Sequence, residues 1–324
     1  MASSIVIQSA PPSKLRDFFR QLQAGEEFAY LITLAAATLV LLIVGLIVYE
    51  LAINSTETLH RFGWSFLVTS VWDPNNDQFG ALPFIYGTCV TSAVGLFLAV
   101  PAGIGSALFL SEMAPPRLSA ILTFLIELLA AVPSVIYGLL GIFILVPAIE
   151  KYLYPFLKPL DFLPIFSGHF YGVSVLSAGI VLSVMVVPFI ISVSREVLMA
   201  VPNDQREAAL AVGATKWETT WQIVLPNAST GVIGSVFLGL ARALGETMAV
   251  TMVIGNVAKI SPSLLSPGYS IASVIANEFG EATPGLHLSS LIFLGLVLFG
   301  LTIVINAVAR LFILATTARG SGSQ

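Results

Sequence analysis

Arg242 and Glu246 stand four residues apart inside an apolar stretch that runs from about Pro226 to Asn256 and reads GVIGSVFLGLARALGETMAVTMVIGN from Gly231. The nearest charges outside the pair are Glu218 and Lys259. About 20 apolar residues cross the hydrocarbon core of a bilayer as a helix. A charge at the middle of such a helix costs about 2.5–3.5 kcal/mol on insertion scales, so it faces protein or an aqueous path and marks a candidate functional site. On one continuous helix the spacing puts both side chains on one face. Ser235, Gly239, Gly245 and Ala249 fall on or near that face, and the larger Val, Phe, Leu and Met residues lie elsewhere. Small residues permit close helix contact or leave room for a solute. Two readings stay open. The pair is an internal ion pair that locks packing, or Arg242 attracts an anion, its planar fork of donors suiting phosphate oxygens. In the second reading Glu246 holds Arg242 between events, or accepts a proton from hydrogen phosphate that fully ionised sulfate cannot donate.

The other polar residues point less sharply. Glu127 precedes Pro133 in an apolar segment and either lines a path, bonds to a kinked backbone or stays protonated. Asn256 and Asn277 contact a solute or cap helices. His60, His169 and His287 are scattered without metal-ligand spacing, and Cys89 is a small packing residue in an apolar run. No metal site and no nucleophile–base constellation is expected, so no catalytic residue is assigned. The chain lacks a GxxxxGK[ST] phosphate-binding loop. If ATP drives it, another subunit supplies the ATPase.

These residues must be held by a membrane protein. Hydrophobic residues make up 56% of the 324-residue chain and charged residues 10%, against about 25% charged in soluble domains. Apolar segments at roughly 30–53, 82–112, 118–147, 171–194, 226–256 and 288–316 predict six transmembrane helices and an all-α fold. Pro101 and Pro133 lie inside two of them and predict kinks rather than breaks. With the N-terminus inside, the cytoplasmic pieces hold nine Lys and Arg residues and the outer pieces four, which by the positive-inside rule places both termini in the cytoplasm. The expected layout is a cytoplasmic segment 1–29, a transmembrane domain 30–316 and a cytoplasmic tail 317–324. The one substantial cytoplasmic loop is 195–225. The outer segments 54–81, 148–170 and 257–287 pack as a lid or form a docking surface, or simply cap helices.

The cytoplasmic loop reads REAALAVGATKWETTWQIVLP from Arg206. Its composition predicts helix through Ala211, a break at Gly213 and a second helix over 216–224. The first helix either lies at the membrane interface or plugs into a cytoplasmic partner. Glu207-Ala208-Ala209, three residues, Gly213, nine residues, Ile223, one residue and Leu225-Pro226 match the EAA motif of bacterial ABC-importer permeases in type and spacing. GLARALGETMAVTMVIGN from Gly239, WDPNNDQFGALPFIYGT from Trp72, IELLAAVPSVIYG from Ile126 and SIASVIANEFGEA from Ser270 narrow the resemblance. From about residue 60 to 312 the chain resembles the PstC-type permeases of bacterial phosphate-specific ABC importers. The PstA-type permeases of the same importers share the Arg-Ala-x-Gly-Glu-Thr pattern but continue into Ala-Pro, where this chain has Met248-Ala249-Val250.

The resemblance implies a type I ABC importer permease fold that moves phosphate inward by alternating access and is not itself an enzyme. It implies that Glu207, Ala208, Ala209 and Gly213 belong to a coupling helix seated in an ATPase cleft, and that Arg242 and Glu246 lie on the translocation path, which Ser235 and Gly239 would also line. It implies a PstA-like second permease, two PstB-like ATPase subunits that use ATP and Mg, and an extracytoplasmic PstS-like phosphate-binding protein. No cofactor is expected on this chain. It would sit in lipid in the bacterial cytoplasmic (inner) membrane, with no nucleic-acid partner. Alternatives are a PstA-type permease or one for another oxyanion, a stand-alone secondary transporter or channel, and a membrane enzyme, which the missing catalytic constellation opposes.

Overall fold

The computed structural model describes residues 26–320 in backbone and 28–311 in side chains; the N-terminal segment 1–29 and the tail 317–324 therefore lie largely outside the described residues. The chain forms two compact units, Met1–Ile53 and Asn54–Gln324. The described residues are helical, with isolated bridges at Asp73–Gln78 and Gly255–Gly268. Six helical segments are long and apolar enough to span a membrane: Phe28–Asn54, Leu82–Met113, Ser134–Leu160, Val175–Met199, Lys216–Leu244 and Leu286–Leu311.

α1 (Glu26–Asn54) carries the first span. In the second unit, the short α2 (Thr56–Phe62) leads into the outer segment. α3 (Leu82–Leu108) runs through Pro101 without interruption and closes on a π-helical turn, Phe109–Met113. The third apolar segment departs from expectation, because Pro133 breaks it. α4 (Pro116–Ala130) stops, and α5 (Ser134–Leu140) starts with Pro133 as its N-cap at ψ 139°. The ring of a proline disfavours helical geometry in the residue before it. The Leu129 carbonyl, which Pro133 cannot serve, accepts the Val132 N–H at 3.1 Å and the Tyr137 hydroxyl at 2.7 Å. The third span therefore starts at Ser134, and π turns and short helices carry it to Leu160.

α6 (Val175–Met199) is the most buried span and the axis of the second unit. α7 (Asn203–Ala211) and α8 (Lys216–Thr219) occupy the loop where two helices flanking Gly213 are expected. Gly213 takes φ +93° with open space around it, the left-handed geometry that ends a helix. Thr215 and Glu218 form a reciprocal capping box at the start of α8. A π turn, Thr220–Val224, joins α8 to α9 (Leu225–Leu244). α10 (Met248–Val253), α11 (Ile271–Glu278) and α12 (Leu286–Gly320) complete the unit.

Small residues set the helix spacing. Without a hydrophobic drive between helices in lipid, close packing and hydrogen bonds hold them. A Cβ on Gly95 would lie 3.1 Å from Leu182, one on Gly179 2.5 Å from Val94, and one on Gly103 2.7 Å from Ile190, so α3 and α6 meet almost backbone to backbone. The outer segments pack as structure in their own right. Phe66, Phe79, Phe84, Tyr269, Leu291 and Phe293 form one buried cluster. Beside it Trp72 Nε1 donates to Glu278 Oε2 at 3.0 Å, and His287 Nε2 lies 3.2 Å from the same oxygen. Burial pushes the Tyr269 hydroxyl pKa up to about 12, so it stays a donor to Glu278 Oε1 at 3.4 Å.

A Cβ at Gly87 would sit 2.1 Å from the Tyr269 carbonyl oxygen, where backbone leaves no room to yield. Gly87→Val is expected to destabilise the protein by about 1–3 kcal/mol, read as a lower melting temperature in detergent; an unchanged melt would show that α3 does not depend on this approach.

Candidate functional site

The apolar stretch that carries Arg242 and Glu246 is two helices and not one. α9 ends at Leu244 and α10 begins at Met248. The expectation of a shared continuous face is corrected accordingly. Gly245 is a poor helix former, and the next residues offer a new start: Glu246 Oε1 accepts the Ala249 N–H at 3.2 Å. Gly245 closes α9 by donating to the Ala241 carbonyl at 3.4 Å.

The break changes how the two charges are stabilised. Arg242 lies in the last turn of α9, where the exposed carbonyls of a helix end favour a cation. Glu246 supplies its carboxylate to one backbone donor, the Ala249 N–H, in the first turn of α10. Among the described residues Arg206 pairs with Glu112 and the His287 ring meets Glu278, and no ion pair joins Arg242 to Glu246. Each charge is matched to a helix end, so the guanidinium is not consumed by its neighbour. Arg242 is exposed and Glu246 half-buried. The Arg242 guanidinium carbon stands 5.9 Å from the centre of the Phe189 ring on α6, a cation–π contact.

Ser235 and Gly239 lie deeper. Ser235 is fully buried, and its hydroxyl meets that of Ser194 on α6 at 2.6 Å. Gly239 is buried too, and a Cβ there would come within 3.1 Å of Ile190 and Val186. In this structure both residues bring α9 onto α6 and thereby set the edge from which Arg242 projects. α10 wedges against α5 and α6: Ala249, Val250 and Val253 are buried with Tyr137, Met185 and Val186. Asn256, at φ 54°, caps α10 by donating to the Thr251 carbonyl at 2.9 Å, and Asn277 donates to the Tyr269 hydroxyl at 3.2 Å. Glu127 is exposed on α4.

The loop between α6 and α9 is separate from the Arg242 edge. Glu207 and Ala208 are exposed on α7, Ala209 is partly covered, and Gly213 is exposed at the turn. Large apolar side chains stand out beside them, with Val212 86% exposed and Trp217 58%. Sequence reasoning missed Arg206, the residue before Glu207. Its guanidinium pairs in fork geometry with Glu112, Nε–Oε2 at 3.1 Å and Nη2–Oε1 at 2.9 Å. It also missed Phe189 and Ser194, whose only sequence signal is their place on an apolar segment.

Residues 99–317 match the family described as binding-protein-dependent transport system inner membrane component. The chain belongs to this family. It is 44% identical to the phosphate transport system permease protein PstC of Xylella fastidiosa (strain 9a5c), over 97% of this chain and 98% of that one. It is 45% identical to the PstC of Haemophilus influenzae, over 93% of this chain and 96% of that one. Its fold is similar to that of a bacterial ABC transporter involved in the import of the acidic polysaccharide alginate, with a TM-score of 0.55 at 16% identity, over 90% of this chain and 98% of that one. The chain is thus a multi-pass transport component with the fold of type I ABC importer permeases, and not an enzyme.

Among the described residues, the Ser194–Ser235 contact is the one side-chain hydrogen bond that joins α6 to α9. A double-mutant cycle with Ser194→Ala and Ser235→Ala is expected to show a coupling of about 0.6 kcal/mol, as for other hydrogen bonds between membrane helices, in detergent stability measurements; strictly additive losses would remove the contact from the account.

Proposed function

We propose that this chain is the permease subunit of an ATP-driven importer of inorganic phosphate, with Arg242 as the anion contact on the translocation path. The observation that carries the reading is an exposed guanidinium at the C-terminal end of α9, with no ion pair to Glu246 among the described residues. Its donors stay available to a planar or tetrahedral oxyanion. The PstC relatives support phosphate as that anion. Glu246, fixed by its bond to the Ala249 N–H, stands close in the chain. There its carboxylate accepts a proton from hydrogen phosphate, or takes up Arg242 when the path is empty.

The working machine in this reading contains a PstA-like permease, two PstB-like ATPase subunits that bind ATP and Mg, and a PstS-like extracytoplasmic binding protein. It sits in the bacterial cytoplasmic membrane with both termini of this chain inside. ATP binding by the partner moves α7, which carries Glu207, Ala208 and Ala209, together with the Gly213 turn. The helices then present the Arg242 edge to the other side. The energy of that reorientation comes from contacts that differ between the two states.

ATP-dependent phosphate uptake by the reconstituted complex tests the anion contact. Arg242→Ala is expected to lower uptake at least about a hundredfold, because a charge-assisted bidentate contact worth about 3 kcal/mol is lost. Arg242→Lys should recover only part, since an ammonium lacks the fork. Wild-type uptake in both variants would remove Arg242 from the path. Glu246→Gln is expected to raise inhibition of phosphate uptake by sulfate, and an unchanged inhibition constant would mean that Glu246 does not read the phosphate proton.

A further inference from the structure

α7 has no buried residue, so apolar packing does not seat it on the body of the protein. A cleft of about 140 Å³ lies under it, lined by Glu112, Arg206, Leu210, Lys216, Thr219 and Thr220. What ties the helix down is polar and concentrated in one side chain. A guanidinium has five N–H donors, and Arg206 directs them to five acceptor contacts. Two go to Glu112 at 3.1 and 2.9 Å, one to the Leu198 carbonyl at 2.8 Å, one to the Val201 carbonyl and one to Asn203 Oδ1 at 3.3 Å. A lighter tie joins Gln205 to Asn227 at the start of α9, at 3.0 Å.

These acceptors belong to different helices. Glu112 sits in the π turn that closes α3. The Leu198 carbonyl is in the last turn of α6, and Val201 follows two residues after the helix ends at Met199. One side chain on α7 therefore grips the cytoplasmic ends of the two helices that pack most closely in the unit. Because α3 and α6 meet at Gly95, Gly103 and Gly179, they move as a pair. α6 in turn carries Phe189 beside Arg242 and the Ile190 contact to Gly239.

We propose that Arg206, through Glu112 and the Leu198 and Val201 carbonyls, is the positioning residue that converts displacement of α7 into displacement of α3 and α6. The inference rests on the permease reading. The exposed residues Glu207, Ala208 and Gly213 meet the ATPase, and Arg206 passes the motion inward. A neutral amide at position 206 cannot span this set of acceptors, so α7 would move alone over its cleft.

Amide hydrogen exchange on the assembled complex, with and without ATP and vanadate, reads this directly and needs no phosphate. In the wild type, nucleotide is expected to change exchange both in α7 and at 109–113 and 196–201. In Arg206→Gln the change in α7 should persist while that at 109–113 and 196–201 is lost, and uptake per ATP hydrolysed should fall about tenfold, within the range for residues that couple distant sites. Glu112→Gln keeps an amide oxygen for the guanidinium and should lose part of the response. The double variant should be no worse than Arg206→Gln alone. A full response at 109–113 in Arg206→Gln would overturn the proposal. So would loss of the ATPase from both single variants, which would make the pair a docking element. An intact exchange pattern in a wild-type complex that takes up no phosphate would refute the substrate and leave the joint standing.

Discussion

A guanidinium on an apolar membrane helix must find polar surroundings, and this chain supplies them by breaking the helix beside it. Gly245, Glu246 and Thr247 interrupt the span. Arg242 gains the carbonyl end of α9, and Glu246 the Ala249 N–H at the start of α10. A continuous helix would place the two charges on one face and invite them to neutralise one another. The break keeps the cation and the carboxylate near in sequence with no ion pair between them. The small residues Ser235 and Gly239 then matter for where they put α9, pressed onto α6 with Arg242 at the edge of the contact.

α6 links that edge to the end of the unit that carries α7. It packs on α3 through glycines and on α9 through Gly239 and Ser235, and in its last turn the Leu198 carbonyl accepts from Arg206. The exposed helix α7 is held over an open cleft by one saturated guanidinium and a lighter Gln205–Asn227 bond. The Arg206–Glu112 pair is mostly buried, with side chains 17% and 9% exposed. Removing one partner there strands the other, which is more costly than losing a surface pair.

The local parts of this design were legible in the sequence. Gly213, with Thr215 and Glu218 after it, encodes a helix end and a capped restart within a few residues, and the structure places α7 and α8 on either side as expected. Arg242 and Glu246 announced themselves by charge alone. The break between them did not, because Gly-Glu-Thr within an apolar run leaves the hydropathy pattern intact, and the outcome turns on a capping bond to Ala249. Pro133 is similar. A break leaves the carbonyls of the preceding turn to find other donors, and Leu129 finds two, the Val132 N–H and the hydroxyl of Tyr137, eight residues away. Arg206 and Glu112 are 94 residues apart, and no local pattern joins them.

The central claim is that the Arg242 guanidinium is free to bind the transported anion. A structure of the assembled transporter, trapped with phosphate between its two gates, tests it most directly. The account predicts a phosphate oxygen within about 3 Å of an Arg242 nitrogen, the distance of a charge-assisted hydrogen bond. Phosphate held elsewhere, with Arg242 locked onto Glu246 or onto a carboxylate of the second permease, would contradict it.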